Sequence, residues 1–287
     1  METELSRIIQ GCMTWGIWGK NFSTQDIVNR IEQNIDLGVT TFDHADIYGD
    51  YSTEASFGKA FKESSIPRQR IQLISKCGIQ LINEQRQTSV KHYNYDKEYI
   101  INQAVKSLDN LKTDYLDLFL LHRPSPLMQV DEIAEAITKL KNSGKIKSFG
   151  VSNFTPQQID FLSQALEVEA NQIQCSLTHF QPIEDDTLFY HQQNKIVSMA
   201  WSPLGDIFSE DKSFILQNAV EDLTAKYNCS QSQIALAWLL KHPAKIHPVL
   251  GTSKTERIQE AMEAVDIDLQ LQDWYKLYQS TREKEVN

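Results

Sequence analysis

The chain has 287 residues, 41% apolar and 23% charged, which suits one large globular domain with a sizeable core and argues against disorder. A formal net charge of -10 at pH 7, with no run of lysines and arginines, excludes nucleic acid and anionic membrane surfaces as expected partners. No apolar run reaches the length of a spanning helix, and the start METELSRIIQ lacks the basic and apolar regions of a signal peptide, so a cytoplasmic location is expected.

Eight short β-branched or aliphatic runs recur along the chain, each closing in a polar or glycine-containing turn. RIIQGCM comes first; Ser23 or Thr24 then starts a helix whose apolar stripe holds Ile27 and Ile31 and which stops at Gly38. VTTFDHA follows and ends at Asp43 with Tyr48 close behind, and IQLISKCG ends at Lys76. Cys77 to Glu98, about 22 residues without clear period, is expected to form a long active-site loop in which His92 and Tyr93 reach inward. A helical stripe of Ile101, Val105, Leu108 and Leu111 leads to YLDLFLLH, which ends at His122. Asp131 starts the next helix, with Ile133, Ile137 and Leu140 on its stripe and a stop at Gly144. KSFGVSN is followed by Thr155 as cap and Pro156 at the first helical position. NQIQCS and IVSMAWSP come next, then an interval from Trp201 to Gly251 with an extra amphipathic helix around Val220 to Tyr227. HPVLGTS is the eighth run; the last predicted helix carries Ile258, Ala261, Met262 and Val265, and only a short tail follows Trp274.

The strand ends Asp43, Lys76, His122 and Ser152 are separated by 33, 46 and 30 positions, near the roughly 30 residues of a βαβ unit. Eight such units predict an α/β fold, a single-domain (β/α)₈ TIM barrel over residues 1–287, with the 77–98 loop as its main insertion. The competing doubly wound sheet wants a GxGxxG after the first strand, which GCMTWGIWG does not provide.

In a barrel the C-terminal strand ends meet at one mouth, so Asp43, Tyr48, Lys76 and His122 converge although each alone has a bland reading as cap, core or loop residue. Together they form a proton-transfer set. A lysine ammonium about 4 Å from a tyrosine, at an effective dielectric near 20, favours tyrosinate by up to about 4 kcal/mol, so Lys76 is expected to make Tyr48 a better acid. Asp43 keeps Lys76 charged, and His122 holds a carbonyl oxygen between itself and Tyr48. The set supplies a proton and no electrons, so carbonyl reduction needs a reductant. Ser152, Asn153 and Gln172 suit a nicotinamide carboxamide, and Trp201 offers a stacking face. Thr252, Ser253, Lys254 and Arg257 open a helix and suit a nucleotide phosphate. Trp15, Trp18, Tyr93 and Trp201 suit an aromatic-walled substrate pocket. Cys12, Cys77, Cys175 and Cys229 lie far apart without ligand spacing, and the strand ends hold too few carboxylates and histidines for a metal-dependent hydrolase, so no metal is expected.

LGVTTFDHADIYG, SKCGI, LDLFLLHRPSPLM, GKIKSFGVSNFTP, MAWSPLG and GTSKTERIQEA occur in order and with barrel spacing, and with them the chain resembles the aldo-keto reductase superfamily, nearest to its bacterial YdhF-like oxidoreductase branch. The resemblance implies a monomeric or weakly associating enzyme that uses NADPH, or less often NADH, to reduce aldehydes and ketones. It assigns Asp43, Tyr48, Lys76 and His122 to the catalytic tetrad with Tyr48 as general acid, and Ser152, Asn153 and Gln172 to the carboxamide. Ser202 and Leu204 of the AWSPLG turn, Gly251, Thr252, Ser253, Lys254, Arg257 and Glu260 fall to the rest of the cofactor. Three positions depart from the common pattern: Trp201 replaces a stacking tyrosine, Gly251 stands where many members place a phosphate-binding lysine, and Met13 replaces a glycine. Because relatives of this fold also act as channel partners, a cofactor-sensing subunit with little turnover is the alternative reading.

Overall fold

A computed structural model of the chain describes residues 4–84, 86–211 and 213–286; the remaining positions, including 85 within the predicted loop, lie outside the described residues. The strands are β1 (Ile9–Gly11), β2 (Thr41–Asp43), β3 (Gln72–Cys77), β4 (Ile79–Gln80), β5 (His92–Tyr93), β6 (Leu116–Leu121), β7 (Ile146–Ser152), β8 (Ala170–Gln174), β9 (Val197–Trp201) and β10 (His247–Leu250). All but β4 and β5 pair in parallel in one closed barrel, in the order β1, β2, β3, β6, β7, β8, β9, β10 and back to β1. The eight runs read from the sequence are those eight strands. Ile9, Ile74, Leu118, Leu120, Ala170, Met199 and Val249 fill the barrel interior, and the helices cover the outside.

The helices are α1 (Thr24–Asp36), α2 (Tyr48–Tyr51), α3 (Thr53–Glu63), α4 (Lys97–Leu111), α5 (Val130–Asn142), α6 (Pro156–Ser163), α7 (Gln181–Glu184), α8 (Thr187–Gln193), α9 (Phe214–Tyr227), α10 (Gln231–Leu240), α11 (Thr255–Glu263) and α12 (Leu271–Arg282). Ser23 caps α1 in a reciprocal box with Asp26, and Thr155 caps α6 in one with Gln158, each satisfying free N–H groups of a first turn. α5 starts at Val130, just ahead of Asp131, with Gln129 at its cap position. No helix among the described residues is long and apolar enough to cross a membrane.

The interval after β9 holds an extra helix, as the sequence suggested: α9 covers the predicted segment and α10 follows it, with Ile234 through Leu239 all buried, so α10 shows no one-faced stripe in sequence. Beyond the barrel, α12 stacks the Trp274 ring on Trp238 with centroids 5.0 Å apart. The segment after β3 is not structureless: β4 and β5 pair antiparallel, with Ile79 opposite Tyr93 and Gln80 opposite His92. His92 and Tyr93 are exposed there and do not reach inward.

Candidate active site

β2 ends with Asp43 and β3 carries Lys76 near its end, both buried at the barrel mouth. Lys76 Nζ donates to Asp43 Oδ1 and Oδ2 at 2.7 Å each, to the His44 carbonyl at 2.8 Å and to Tyr48 Oη at 3.2 Å. An ammonium removed from water is thus surrounded by acceptors, which keeps a buried charge tolerable. Burial pulls the Lys76 pKa down, but Asp43 and Tyr48 together outweigh it, and the pKa lies above its ordinary value. Gln172 Nε2 donates to Asp43 Oδ1 at 2.9 Å, a bond that spans 129 positions of sequence.

The turn that presents Tyr48 is tight. Gly49 and Asp50 both have left-handed backbones, with φ of 58° and 51°. At Gly49 a Cβ would also come within 2.4 Å of Thr53 Oγ1, so only glycine fits without displacement. The Tyr48 ring is buried beside Ala45, Ile47 and Ile79. Burial pushes the phenol pKa up, and the Lys76 charge opposes that without overcoming it, so the net direction is above the ordinary value. The Lys76 charge acts on Tyr48 in the direction expected from the sequence, towards a better acid, but desolvation of the phenolate, which the sequence reading did not weigh, is the larger effect.

His122 follows β6, with its N–H on the Cys77 carbonyl at 2.9 Å, and its ring meets Tyr48 edge-on with centroids 6.1 Å apart. Burial first, then the charges of Lys76, Arg123 and Lys91, hold its pKa well below the ordinary value. The imidazole is therefore neutral at neutral pH. His44 and Asp46, in the same turn, are buried: burial lowers the His44 pKa to about 3, and burial with Glu54 nearby raises that of Asp46 well above the carboxylate range.

Across the mouth, Ser152 Oγ donates to the Gln172 carbonyl at 2.9 Å, Asn153 Nδ2 to Ser152 Oγ at 2.7 Å, and Trp201 Nε1 to Asn153 Oδ1 at 2.9 Å. The chain of bonds fixes the indole plane. A cavity of about 390 Å³ joins these groups to Asp43, Tyr48 and His122; Met13, Trp18, Ile47, Ile79, Arg123 and Val249 complete its wall.

Ser202 and Gly251 also line the cavity, whereas Leu204 packs half-buried against the core. Thr252 and Ser253 are half-buried ahead of α11, while Lys254 and Arg257 are exposed at its start. Lys254 occupies the cap position without a side-chain cap. Glu260 accepts from Ser230 Oγ, so its carboxylate already has a partner on α10. Trp15 is not a pocket wall: it is almost wholly buried, with its ring against Phe22, Phe42 and Phe57. Tyr93 lies outside the cavity wall on the exposed hairpin, and Trp18 is on the wall, 6.3 Å from Tyr48 between centroids. Sequence reading missed Arg123, whose only signal was its place after His122 in LLHRPSP.

A closed parallel barrel whose mouth gathers an aspartate, a lysine, a tyrosine and a neutral histidine beside a fixed indole places a phenolic proton source at the edge of a small-molecule cavity. The chain belongs to the aldo/keto reductase family, whose profile matches residues 7–281. It is 40% identical to Oxidoreductase YdhF of Escherichia coli over 96% of this chain and 93% of that one. It is 37% identical to a 6-dehydroglucose reductase of Agrobacterium fabrum over 99% and 97%. Among solved structures, an aldo/keto reductase from Klebsiella pneumoniae in complex with NADP and acetate superposes with a TM-score of 0.79 at 26% identity, covering 95% of this chain and 90% of that one.

Proposed function

We propose that the protein reduces aldehyde or ketone carbonyls of small molecules, with NADPH as reductant and Tyr48 as proton donor. The observation that carries this is the Asp43–Lys76–Tyr48 chain of hydrogen bonds, which ends on a phenol at the cavity wall. NADPH, when bound, supplies the hydride to the carbonyl carbon. The protein's part is to place the carbonyl oxygen between Tyr48 Oη and the neutral His122 ring. Tyr48 gives its proton to that oxygen as negative charge builds on it, and the adjacent ammonium of Lys76 stabilises the phenolate left behind.

The residues present fit the cofactor. The amides of Asn153 and Gln172 each retain hydrogen-bonding capacity for a carboxamide, and the Trp201 ring is held in place for stacking. A relative of the same family carries NADP. Lys254, Arg257 and the uncapped start of α11 suit the 2′-phosphate, and the chain at Gly251 is open, since a Cβ there would meet nothing within 4 Å. NADH is the weaker alternative.

The test is steady-state oxidation of NADPH with a panel of aldehydes, ketones and quinones. Multiple turnovers are expected; tight cofactor binding without turnover would instead make the protein a cofactor sensor. In fluorescence titrations Arg257→Ala should weaken NADPH by about 1.5 to 3 kcal/mol while sparing NADH, with the difference shrinking as salt rises. Equal losses for both cofactors would remove Arg257 from phosphate recognition.

A further inference from the structure

Of the charged side chains on the cavity wall, Asp43 is neutralised by Lys76, and Arg123 has no carboxylate partner among the described residues. Its guanidinium carbon lies 5.5 Å from the centroid of the Trp201 ring, a cation over an aromatic face. Trp201 is itself fixed by Asn153. The backbone is fixed as well: Tyr95 Oη donates to the Arg123 carbonyl at 2.6 Å and accepts from the Arg123 N–H at 3.1 Å. Gly78 makes room for that clamp, since a Cβ there would fall 2.1 Å from the Tyr95 ring. Arg123 is thus a positioned cation next in sequence to His122, half-buried at the edge of the site. Lys91 on the hairpin adds a second positive charge that acts on His122. In a molecule of net charge -10, two positive charges thus act on the His122 side of the cavity.

The rest of the wall on the Tyr48 side is apolar, with Trp18, Ile47 and Ile79. A half-buried, unpaired guanidinium in such a setting is matched by an anion, because a planar fork of donors pairs with a carboxylate through two parallel bonds. From this we infer that the preferred substrates are carbonyl compounds that carry an anionic group, with Arg123 as the residue that binds it. The inference rests on the reductase reading above and names the substrate class of that same site.

The experiment compares matched pairs of substrates with NADPH: succinic semialdehyde against butanal, and 4-carboxybenzaldehyde against 4-nitrobenzaldehyde. The parent enzyme should favour the carboxylate member by kcat/KM in at least one pair. In Arg123→Gln that preference should fall by at least about tenfold, through KM more than kcat, as expected for loss of a charge-assisted bond that is partly open to solvent. Arg123→Lys should restore part of it, and raising salt should erode it in the parent. NADPH affinity, read by fluorescence, should stay the same in both variants. If the neutral members are turned over and Arg123→Gln affects both members of each pair equally, the substrate class is overturned and the reductase reading stands. Loss of NADPH affinity in Arg123→Gln would assign the arginine to the cofactor and overturn the inference too. If the parent enzyme turns over none of the four, the reductase reading fails and takes this one with it.

Discussion

At the scale of single residues, Tyr48 bears the strongest prediction. Tyr48→Phe keeps the ring among Ala45, Ile47 and Ile79 and removes only the hydroxyl that meets Lys76. Turnover should fall by roughly 10²- to 10⁴-fold while NADPH affinity changes by less than about 1 kcal/mol. A single-turnover rate with NADPH already bound decides this; hydride transfer within a few-fold of the parent would take Tyr48 out of the chemistry. Because burial raises the Tyr48 pKa and lowers that of His122, the acid stays protonated and the imidazole neutral across neutral and mildly alkaline pH. The single-turnover rate of reduction should therefore stay level between about pH 6.5 and 9, and a break near 7 would contradict the neutral histidine. That Asp43, Tyr48, Lys76 and His122 come together was legible, because each lies at or shortly after the C-terminal end of a barrel strand. The sign of the Tyr48 shift was not, since it turns on how much water the fold removes from the ring.

At the scale of elements, close backbone contacts set the tolerances. On α3, Gly58 faces α4 so closely that a Cβ would lie 2.0 Å from the Asn110 carbonyl oxygen and 2.6 Å from the Leu111 carbonyl carbon. These are backbone atoms and cannot rotate away. Gly58→Ala should therefore destabilise the fold by at least about 1 to 3 kcal/mol, seen as a lower urea midpoint; an unchanged midpoint would show that the two helices can part freely. Thr155→Ala removes one capping box and should cost about 1 kcal/mol with no effect on kcat, because Thr155 is exposed and is not on the cavity wall. Elements with one buried face were readable from their period, as α1 and α5 show. α10 was not, because a helix buried all round has no polar face to mark its phase.

For the whole molecule, pH-dependent stability follows from what the fold buries. Burial lowers the pKa of His44, His122, His191, His242 and His247, with values of about 3 for His44 and about 4 for His191 and His242. The unfolded chain protonates these rings near pH 6.5 while the folded one does not, so stability rises with pH up to that point and is lost as pH falls below it. Asp46 and Glu54 act in the opposite sense, since their raised pKa values let the folded state hold protons that the unfolded state releases above about pH 4. Five groups against two leave a net gain between about pH 4.5 and 6.5, at up to about 1.4 kcal/mol per pH unit for each histidine. Tm should be lower at pH 5 than at pH 7; the reverse order would mean that these rings are solvated in the folded protein. The barrel itself and the candidates at its mouth were determined by sequence alone, because eight runs at βαβ spacing leave few ways to bury their apolar faces, and a parallel barrel brings every C-terminal strand end to one side. Only the tertiary structure decided that Gln172 meets Asp43, that Trp15 belongs to the core, that His92 and Tyr93 stay outside, and that Arg123 faces Trp201. Each of these depends on distance and on water excluded between residues far apart in the chain, which no local pattern encodes.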